Sequence, residues 1–388
     1  MNILQITDGL PPAVLGGSGR IVWEISRGLT HKGHTVSILT CAKPGVFPAE
    51  KDGISIRTFP PLPQRFAHYR SVFSGRRARE IMRHIHAVKP DVIHAHLLAG
   101  QAGYAWIPLA RKAGIPVIVT CHDVMNIACG RVMPDDTHIW LKDLKRLRWS
   151  WNPFRTMMIR NILMTHCTVL TVSDALRTWM EQFGYRNLRT VHNGVDLSFW
   201  EEKQTKEKAR ATLGLPQDKT LFLLAGRLGI DKGIVPVNAA LPEDAHLIAA
   251  GILSEPIFDH LGDRLHRFNN QSAEEMRTLY TACDVSLVPS LCLDCFPTIC
   301  LESMACERPV IGTTMGGARE SVVEGLSGWI LNPENTDTFR ATMQWCMDHP
   351  DETAAMGKAG RNHMKSHFSM EKMIETLEGI YTKHQKDS

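Results

Sequence analysis

Several things are missing from this 388-residue chain, and each absence removes a class of protein. No run of eighteen apolar residues occurs, so no membrane-spanning helix is expected. The opening MNILQITDGLPP breaks its short apolar run at Asp8. It reads as a buried first strand rather than a signal peptide. The ten cysteines are scattered along a long chain, which suits reduced thiols in a cytoplasmic enzyme better than a disulfide framework. No nucleic-acid-binding module is legible, and neither a repeat nor a low-complexity segment is present. The dinucleotide fingerprint G-x-G-x-x-G is incomplete. Gly17 and Gly19 supply its first two positions, but Val22 stands at the third, which counts against a nicotinamide enzyme.

What is present fits a two-domain α/β enzyme. The chain is longer than one core usually serves, and its 44% apolar and 22% charged residues are ordinary for a globular enzyme. The net charge of +4 hides an asymmetry. Residues 1–200 carry 25 Lys and Arg against 13 Asp and Glu, a surplus of +12; the remainder carries 19 against 27, or −8. A basic first half suits an anionic membrane surface or a pyrophosphate-bearing partner. Strand and helix patterns alternate, which argues for parallel sheets covered by helices. Strands are expected at 3–6, 35–39, 92–94, 117–120 and 168–172, then at 221–224, 247–250, 285–288 and 310–312. Helices are expected at 20–31, 75–88, 101–112, 174–182, 338–348 and 370–384. The first domain therefore covers 1–196, the second 197–369.

Four loops at strand ends carry the chemistry. In the stretch from Asp294 to Val310 two acids, Asp294 and Glu302, stand eight residues apart. A loop ending in Phe296-Pro297 precedes an apolar helix, so Asp294 faces a helix start and Glu302 lies two turns in. Such a site offers carboxylates and backbone N–H groups to a ligand rich in hydroxyls and phosphate. Arg227 and Lys232 follow the strand at 221–224, and two cations near glycines can clamp a pyrophosphate; two solvated surface cations are the plainer reading. Gly16 and Gly17 open a loop between the first strand and a helix, where glycines let backbone approach a phosphate; a plain strand-to-helix turn also fits. His122, in Thr120-Cys121-His122-Asp123, is either a general base or a satisfied structural histidine. His94 and His96 form a two-histidine strand end, and Cys292 and Cys295 a C-x2-C pair, but neither has the further ligands a metal site needs.

Taken with its flanks, VPSLCLDCFPTICLESMACERPVIGTTMGGARE resembles the acid-x7-acid motif of retaining glycosyltransferases of family 4. In that family the first acid is usually Glu, where this chain has Asp294. Gly often follows the Phe, where it has Pro297, and Gly is common where it has Glu307. Gly226-Arg227 through Lys232-Gly233 resembles the family's G-R-x4-K-G element, and Thr120 to Asp123 its T-x-H-D element. The resemblance runs from the Gly16 loop to the final helix. It implies a GT-B fold, with two Rossmann-like domains facing a cleft and the helix at about 370–388 returning to the first. The first domain would bind the acceptor and the second a nucleotide-diphosphate sugar as donor substrate, with no cofactor. Catalysis would rest on His122, Arg227, Lys232 and Asp294. Donor binding would involve Gly16, Gly17, Arg227, Lys232, Asp294, Glu302 and the N–H groups of Phe296 and Thr298. Asp294 would hold sugar hydroxyls and Glu302 the ribose of the nucleotide. Metal-dependent glycosyltransferases carry a D-x-D triplet, and this chain has none, so no metal is expected.

The acceptor expected from this resemblance is a glycan or lipid-linked sugar of cell-surface polysaccharide or glycolipid synthesis. Residues 139–160, IWLKDLKRLRWSWNPFRTMMIR, place Trp140, Leu144, Leu147 and Trp151 at helical spacing among cations. With Arg76, Arg77 and Arg79 this stretch suits peripheral contact with an anionic membrane at the cytoplasmic face. The other reading packs the apolar stripe into the first domain. A sugar-nucleotide 2-epimerase and a non-catalytic sugar-binding protein share the GT-B fold and remain open.

Overall fold

A computed structural model describes residues 1–12, 16–63, 67–129, 151–253, 255–269 and 271–386. The described residues divide into two compact units. One runs to Asn193 and resumes at Met370; the other spans Gly194–Ser369.

The first unit is built on β1 (Asn2–Thr7), β2 (Thr35–Cys41), β3 (Glu50–Lys51), β4 (Ile54–Phe59), β5 (Val92–Ala95), β6 (Val117–Cys121), β7 (Thr168–Thr171) and β8 (Arg189–Thr190). Among the described residues these form one sheet in the order β3-β4-β2-β1-β5-β6-β7-β8. Every pairing is parallel except β3 with β4. Parallel sheets need helical crossovers that cover both faces, so their inner strands are apolar almost without interruption. Strand β1 obeys this: Ile3, Leu4 and Ile6 are fully buried. The final helix Met370–Lys386 packs here, and its Met370, Met373, Ile374, Leu377, Ile380 and Tyr381 join the core of Ile3, Ile21, Val36 and Val92.

The second unit contains β9 (Leu221–Ala225), β10 (His246–Ala250), β11 (Leu265–Phe268), β12 (Val285–Val288), β13 (Val310–Thr313) and β14 (Gly328–Leu331). Its sheet is parallel throughout, in the order β11-β10-β9-β12-β13-β14. Its core gathers Phe222, Leu224, Ile234, Leu247, Leu287, Ile311 and Phe339.

Both sheets reverse their winding at one place. In the first, β1 lies between β2 and β5; in the second, β9 lies between β10 and β12. Crossovers leave in opposite directions from such a point, so the loops splay apart and open a crevice at the carboxyl ends of the strands. The two units are therefore doubly wound α/β domains, each with a ready-made ligand position beside a known pair of strands.

Candidate functional site

In the second unit the crevice is bounded by the loops after β9, β12 and β13. After β9 the chain passes through Gly226, Arg227 and Gly229 into a 3-10 turn, Ile230–Lys232. Gly233 ends that turn at φ 81°, and a Cβ there would lie 2.1 Å from the Pro289 carbonyl oxygen. Only glycine allows this backbone-to-backbone approach, and it brings the β9 loop against the residue that follows β12. Lys232 is thereby carried to Asp294, and its ammonium donates to Asp294 Oδ2. Ser290 Oγ donates to the same oxygen at 3.1 Å. The third loop closes on Asp294 through the main chain. The Gly317 N–H donates to the Asp294 carbonyl at 2.8 Å, and a Cβ on Gly316 would sit 2.2 Å from that oxygen.

Arg227 stands at the edge of this cluster. Its side chain is 64% exposed, and Nη2 lies 3.9 Å from Asp231 Oδ2, too long for a strong bidentate pair. Asp231 is itself buried, so one cation of the expected clamp is committed to Asp294 while the other reaches into solvent.

The helix after β12 runs from Thr298 to Ala305, one residue later than a proline in its first turn would place it. Pro297 is the N-cap, with φ −68° and ψ 116°. Glu302, the fifth residue of this helix, lies about one turn in rather than two. It is half-buried and accepts a hydrogen bond from the Tyr280 hydroxyl at 3.0 Å. Tyr280 is fully buried, and burial together with the Glu302 carboxylate pushes its own ionisation far above the ordinary tyrosine range. It therefore stays a donor and fixes one oxygen of Glu302. Nothing in the local pattern marks Tyr280; it is reached only because its helix, Ala273–Ala282, packs beside that of Glu302. The Phe296 side chain is buried with its ring 5.8 Å from that of Phe368. It pins the loop, while Thr298 stays half-buried at the helix start.

In the first unit the winding reverses between β1 and β5, and a chain of buried polar groups follows those strands. Asp8, directly after β1, accepts N–H groups from Gly100 at 2.6 Å, Gln101 at 2.9 Å and Ala102 at 2.6 Å. Burial nevertheless outweighs these three donors and raises its carboxyl to about 6. Gly16 caps the helix Gly17–His31 in an extended conformation, φ 176° and ψ 149°, with open space where a Cβ would stand. Packing does not demand glycine there.

His122 follows β6 and is buried. Its Nε2 is 3.0 Å from His96 Nδ1, and His96 Nε2 is 2.6 Å from Gln5 Oε1. His94, one step back on β5, bonds the Tyr381 hydroxyl at 2.6 Å and Thr120 Oγ1 at 2.7 Å. Burial lowers His94 to about 3, His122 to about 4, and His96 well below the ordinary histidine range. All three are neutral at pH 7. Apart from His122 Nδ1, their nitrogens face one another and uncharged partners, and among the described residues no group of three or more His, Cys, Asp or Glu is arranged around a metal position. Cys292 and Cys295 are buried, with Cys292 Sγ 3.8 Å from Asp231 Oδ2 and Cys295 Sγ 3.9 Å from the Leu293 carbonyl oxygen.

The basic stretch divides. Residues 139–150 lie outside the described residues. Trp151 is buried, and so is Arg155, whose guanidinium donates to the carbonyls of His68 at 3.1 Å and Met125 at 2.9 Å. Arg77 is buried too, paired with Glu80 at 2.6 Å. Arg77 and Arg155 are thereby corrected from surface-facing to structural, while the burial of Trp151 fits the reading that packs the apolar stripe into the first domain. Arg76 and Arg79 are exposed. No helix of the described residues is long and apolar enough to cross a membrane.

Two doubly wound units, each with its polar cluster at the winding reversal, define a GT-B protein. Comparison with known proteins makes this specific. Residues 15–199 match the model of glycosyltransferase family 4, and residues 205–363 match that of glycosyl transferases group 1. A D-inositol 3-phosphate glycosyltransferase of Mycolicibacterium smegmatis is 26% identical over 313 residues, covering 76% of this chain and 68% of that one. Sucrose-phosphate synthase from Thermosynechococcus elongatus superposes with a TM-score of 0.81 at 19% identity, over 100% of this chain and 99% of that one. Anabaena HepE, solved with UDP-glucose, superposes with a TM-score of 0.75 at 18% identity, over 98% of this chain and 99% of that one. The chain belongs to the family 4, group 1 glycosyltransferases and is a glycosyltransferase.

Proposed function

We propose that this glycosyltransferase moves a hexose from a nucleotide-diphosphate sugar to a glycan or lipid-linked acceptor, with retention at the anomeric carbon and without a metal. The observation that carries this reading is the pairing of Lys232 with Asp294 between the loops after β9 and β12, with Arg227 at the edge of that cluster and Glu302 on the next helix. A departing nucleoside diphosphate gains negative charge as the C1–O bond breaks and its electron pair passes to the phosphate oxygen. Arg227 and Lys232 supply fixed positive charge for that oxygen. The acceptor hydroxyl forms the new bond to C1 and passes its proton to the departing phosphate oxygen, which has taken the bonding pair. Asp294 binds sugar hydroxyls and Glu302 the ribose, while Gly16 and Gly17 line the phosphate side and the N–H groups of Phe296 and Thr298 approach the sugar. His122 stands at the sugar in the first domain. Retention is the course that family likeness implies. The basic first 200 residues support an acceptor of cell-surface polysaccharide or glycolipid synthesis, used at the cytoplasmic face of the membrane.

Screening UDP-, ADP- and GDP-hexoses for thermal stabilisation, and then for slow hydrolysis, identifies the donor. With it, Arg227→Ala and Lys232→Ala should each lower turnover by roughly 10²–10⁴ while the fold survives. Near-normal rates in both folded variants would refute the clamp. Activity should persist in excess EDTA; loss that Mg²⁺ or Mn²⁺ reverses would show a metal requirement. Free epimer formed without acceptor would make the protein an epimerase, and binding without turnover a sugar-binding protein.

A further inference from the structure

The hydrogen bonds around His122 have a direction. Gln5 presents its carbonyl oxygen, Oε1, to His96 Nε2 at 2.6 Å. A carbonyl only accepts, so the His96 proton sits on Nε2. A neutral imidazole has one N–H, which leaves His96 Nδ1 as an acceptor. His122 Nε2 lies 3.0 Å from that acceptor and must donate to it. The same rule then makes His122 Nδ1 an acceptor. Among the described residues that nitrogen, which is buried, has no hydrogen-bond partner.

Each link is held from outside. Gln5 is fully buried in the middle of β1, His96 follows β5 and His122 follows β6. Strands β1, β5 and β6 are consecutive in the sheet, so the chain of bonds crosses it at the winding reversal. The His94 ring, 4.0 Å from that of His96 between centroids, is tied to Tyr381 and Thr120 and limits ring rotation. A buried acceptor without a partner costs about 1–3 kcal/mol, and a ligand group that donates to it recovers that cost.

We infer that Gln5 and His96 are positioning residues that hold His122 in its Nε2–H tautomer, so that Nδ1 accepts a hydrogen bond from a hydroxyl of the bound sugar. This rests on the reading that His122 stands at the sugar. It narrows the substrate class: the group meeting Nδ1 carries a proton to donate. An ionised carboxylate or phosphate there meets a lone pair and is rejected.

The first arm of the test needs no substrate. Full-length protein labelled with ¹⁵N in its histidine rings reports each tautomer by NMR at pH 7.5, with His122→Asn used only to assign the signal. The expected spectrum has His122 protonated on Nε2 alone. Gln5→Met removes the acceptor and should mix the tautomers of both His96 and His122. A proton on His122 Nδ1 in the wild-type protein, as would follow if the Gln5 amide were turned end for end, overturns the inference. So does a Gln5→Met spectrum identical to wild type; if that variant does not fold, the wild-type spectrum decides alone.

The second arm uses whichever of UDP-glucose, ADP-glucose and GDP-mannose turns over, with its single-deoxy analogues. One analogue should lose about 10-fold or more in kcat/KM with wild-type enzyme, and Gln5→Met should abolish most of that difference. A merely structural Gln5 would slow all donors equally, and that result overturns the positioning role. If none of the three donors turns over, the hydroxyl assignment falls together with the proposed function, while the tautomer stands or falls on the spectrum.

Discussion

Lys232 and Asp294 share one ion pair, and that pairing sets what each can do before a ligand arrives. A diphosphate competes with the Asp294 carboxylate for the ammonium, so removing the Asp294 charge frees Lys232 for phosphate. Glu302 is held differently, by a neutral hydroxyl donor whose ionisation is suppressed. The two acids should therefore respond differently to neutralisation. Glu302→Gln should weaken binding of free UDP itself by about 10-fold or more, the scale of a lost hydrogen bond to a charged group. Asp294→Asn should leave UDP affinity intact or improved and lower only affinity for the nucleotide sugar or its turnover. Calorimetry with UDP and with the sugar donor separates these, and equal losses for both variants would defeat the division of roles.

The helix that carries Glu302 ends unusually. Cys306 is its C-cap, and the next residue, Glu307, has φ 58°. Helices commonly close on a left-handed residue at that position, usually glycine, because a Cβ is disfavoured there. The reason for the sharp stop is visible in the partner helix Pro350–His367. A Cβ on its Gly357 would lie 1.9 Å from the Glu307 carbonyl oxygen, so the second helix crosses directly over the turn. Glycine is thus required on the crossing helix but absent from the turn. Glu307→Gly should stabilise the protein by roughly 0.5–1 kcal/mol, read as a rise in urea midpoint with unchanged slope. Gly357→Ala should destabilise by more than that gain, since it must push two helices apart. A neutral or stabilising Gly357→Ala would contradict the close crossing.

Over the whole molecule, buried neutral histidines make stability depend on pH. His94, His96 and His122 have folded pKa values of about 3, well below the ordinary range, and about 4, against 6.5 for an unperturbed histidine. As pH falls through 6.5 the unfolded chain takes up three protons that the folded unit refuses, so stability is lost on acidification. Asp8 opposes this. Raised to about 6, it gains its proton first in the folded state and adds stability between about pH 6 and 4. Asp123 and Glu202 are raised by burial as well, but burial also lowers His68, His84, His246, His266 and His363, so the histidines stay dominant. Unfolding free energy should drop by a few kcal/mol, in order of magnitude, between pH 7.5 and 5, and His94→Gln should flatten the slope. Urea titrations at the two pH values check this; equal or greater stability at pH 5 would disprove it.

Much of this architecture is legible in the sequence, for physical reasons that are local. Inner parallel strands are buried on both faces, so β9 and β12 announce themselves as apolar runs, LFLLA and VSLV. Their loops then place Arg227, Lys232, Asp294 and Glu302 at strand ends by counting alone. The two-residue edge strands β3 and β8 have no such signature. Nor does the helix Pro350–His367, which is too polar and glycine-bearing to show a clear stripe. Local spacing also counts every arginine in a basic stretch as a surface charge. It takes the packed fold to bury Arg77 and Arg155 against backbone carbonyls distant in sequence. Tertiary structure alone decides the pairings that give the site its chemistry: Lys232 with Asp294, Tyr280 with Glu302, and Gln5 through His96 to His122. Those partners lie on different strands and helices, and periodicity along a chain carries no information about which distant loop a side chain will meet.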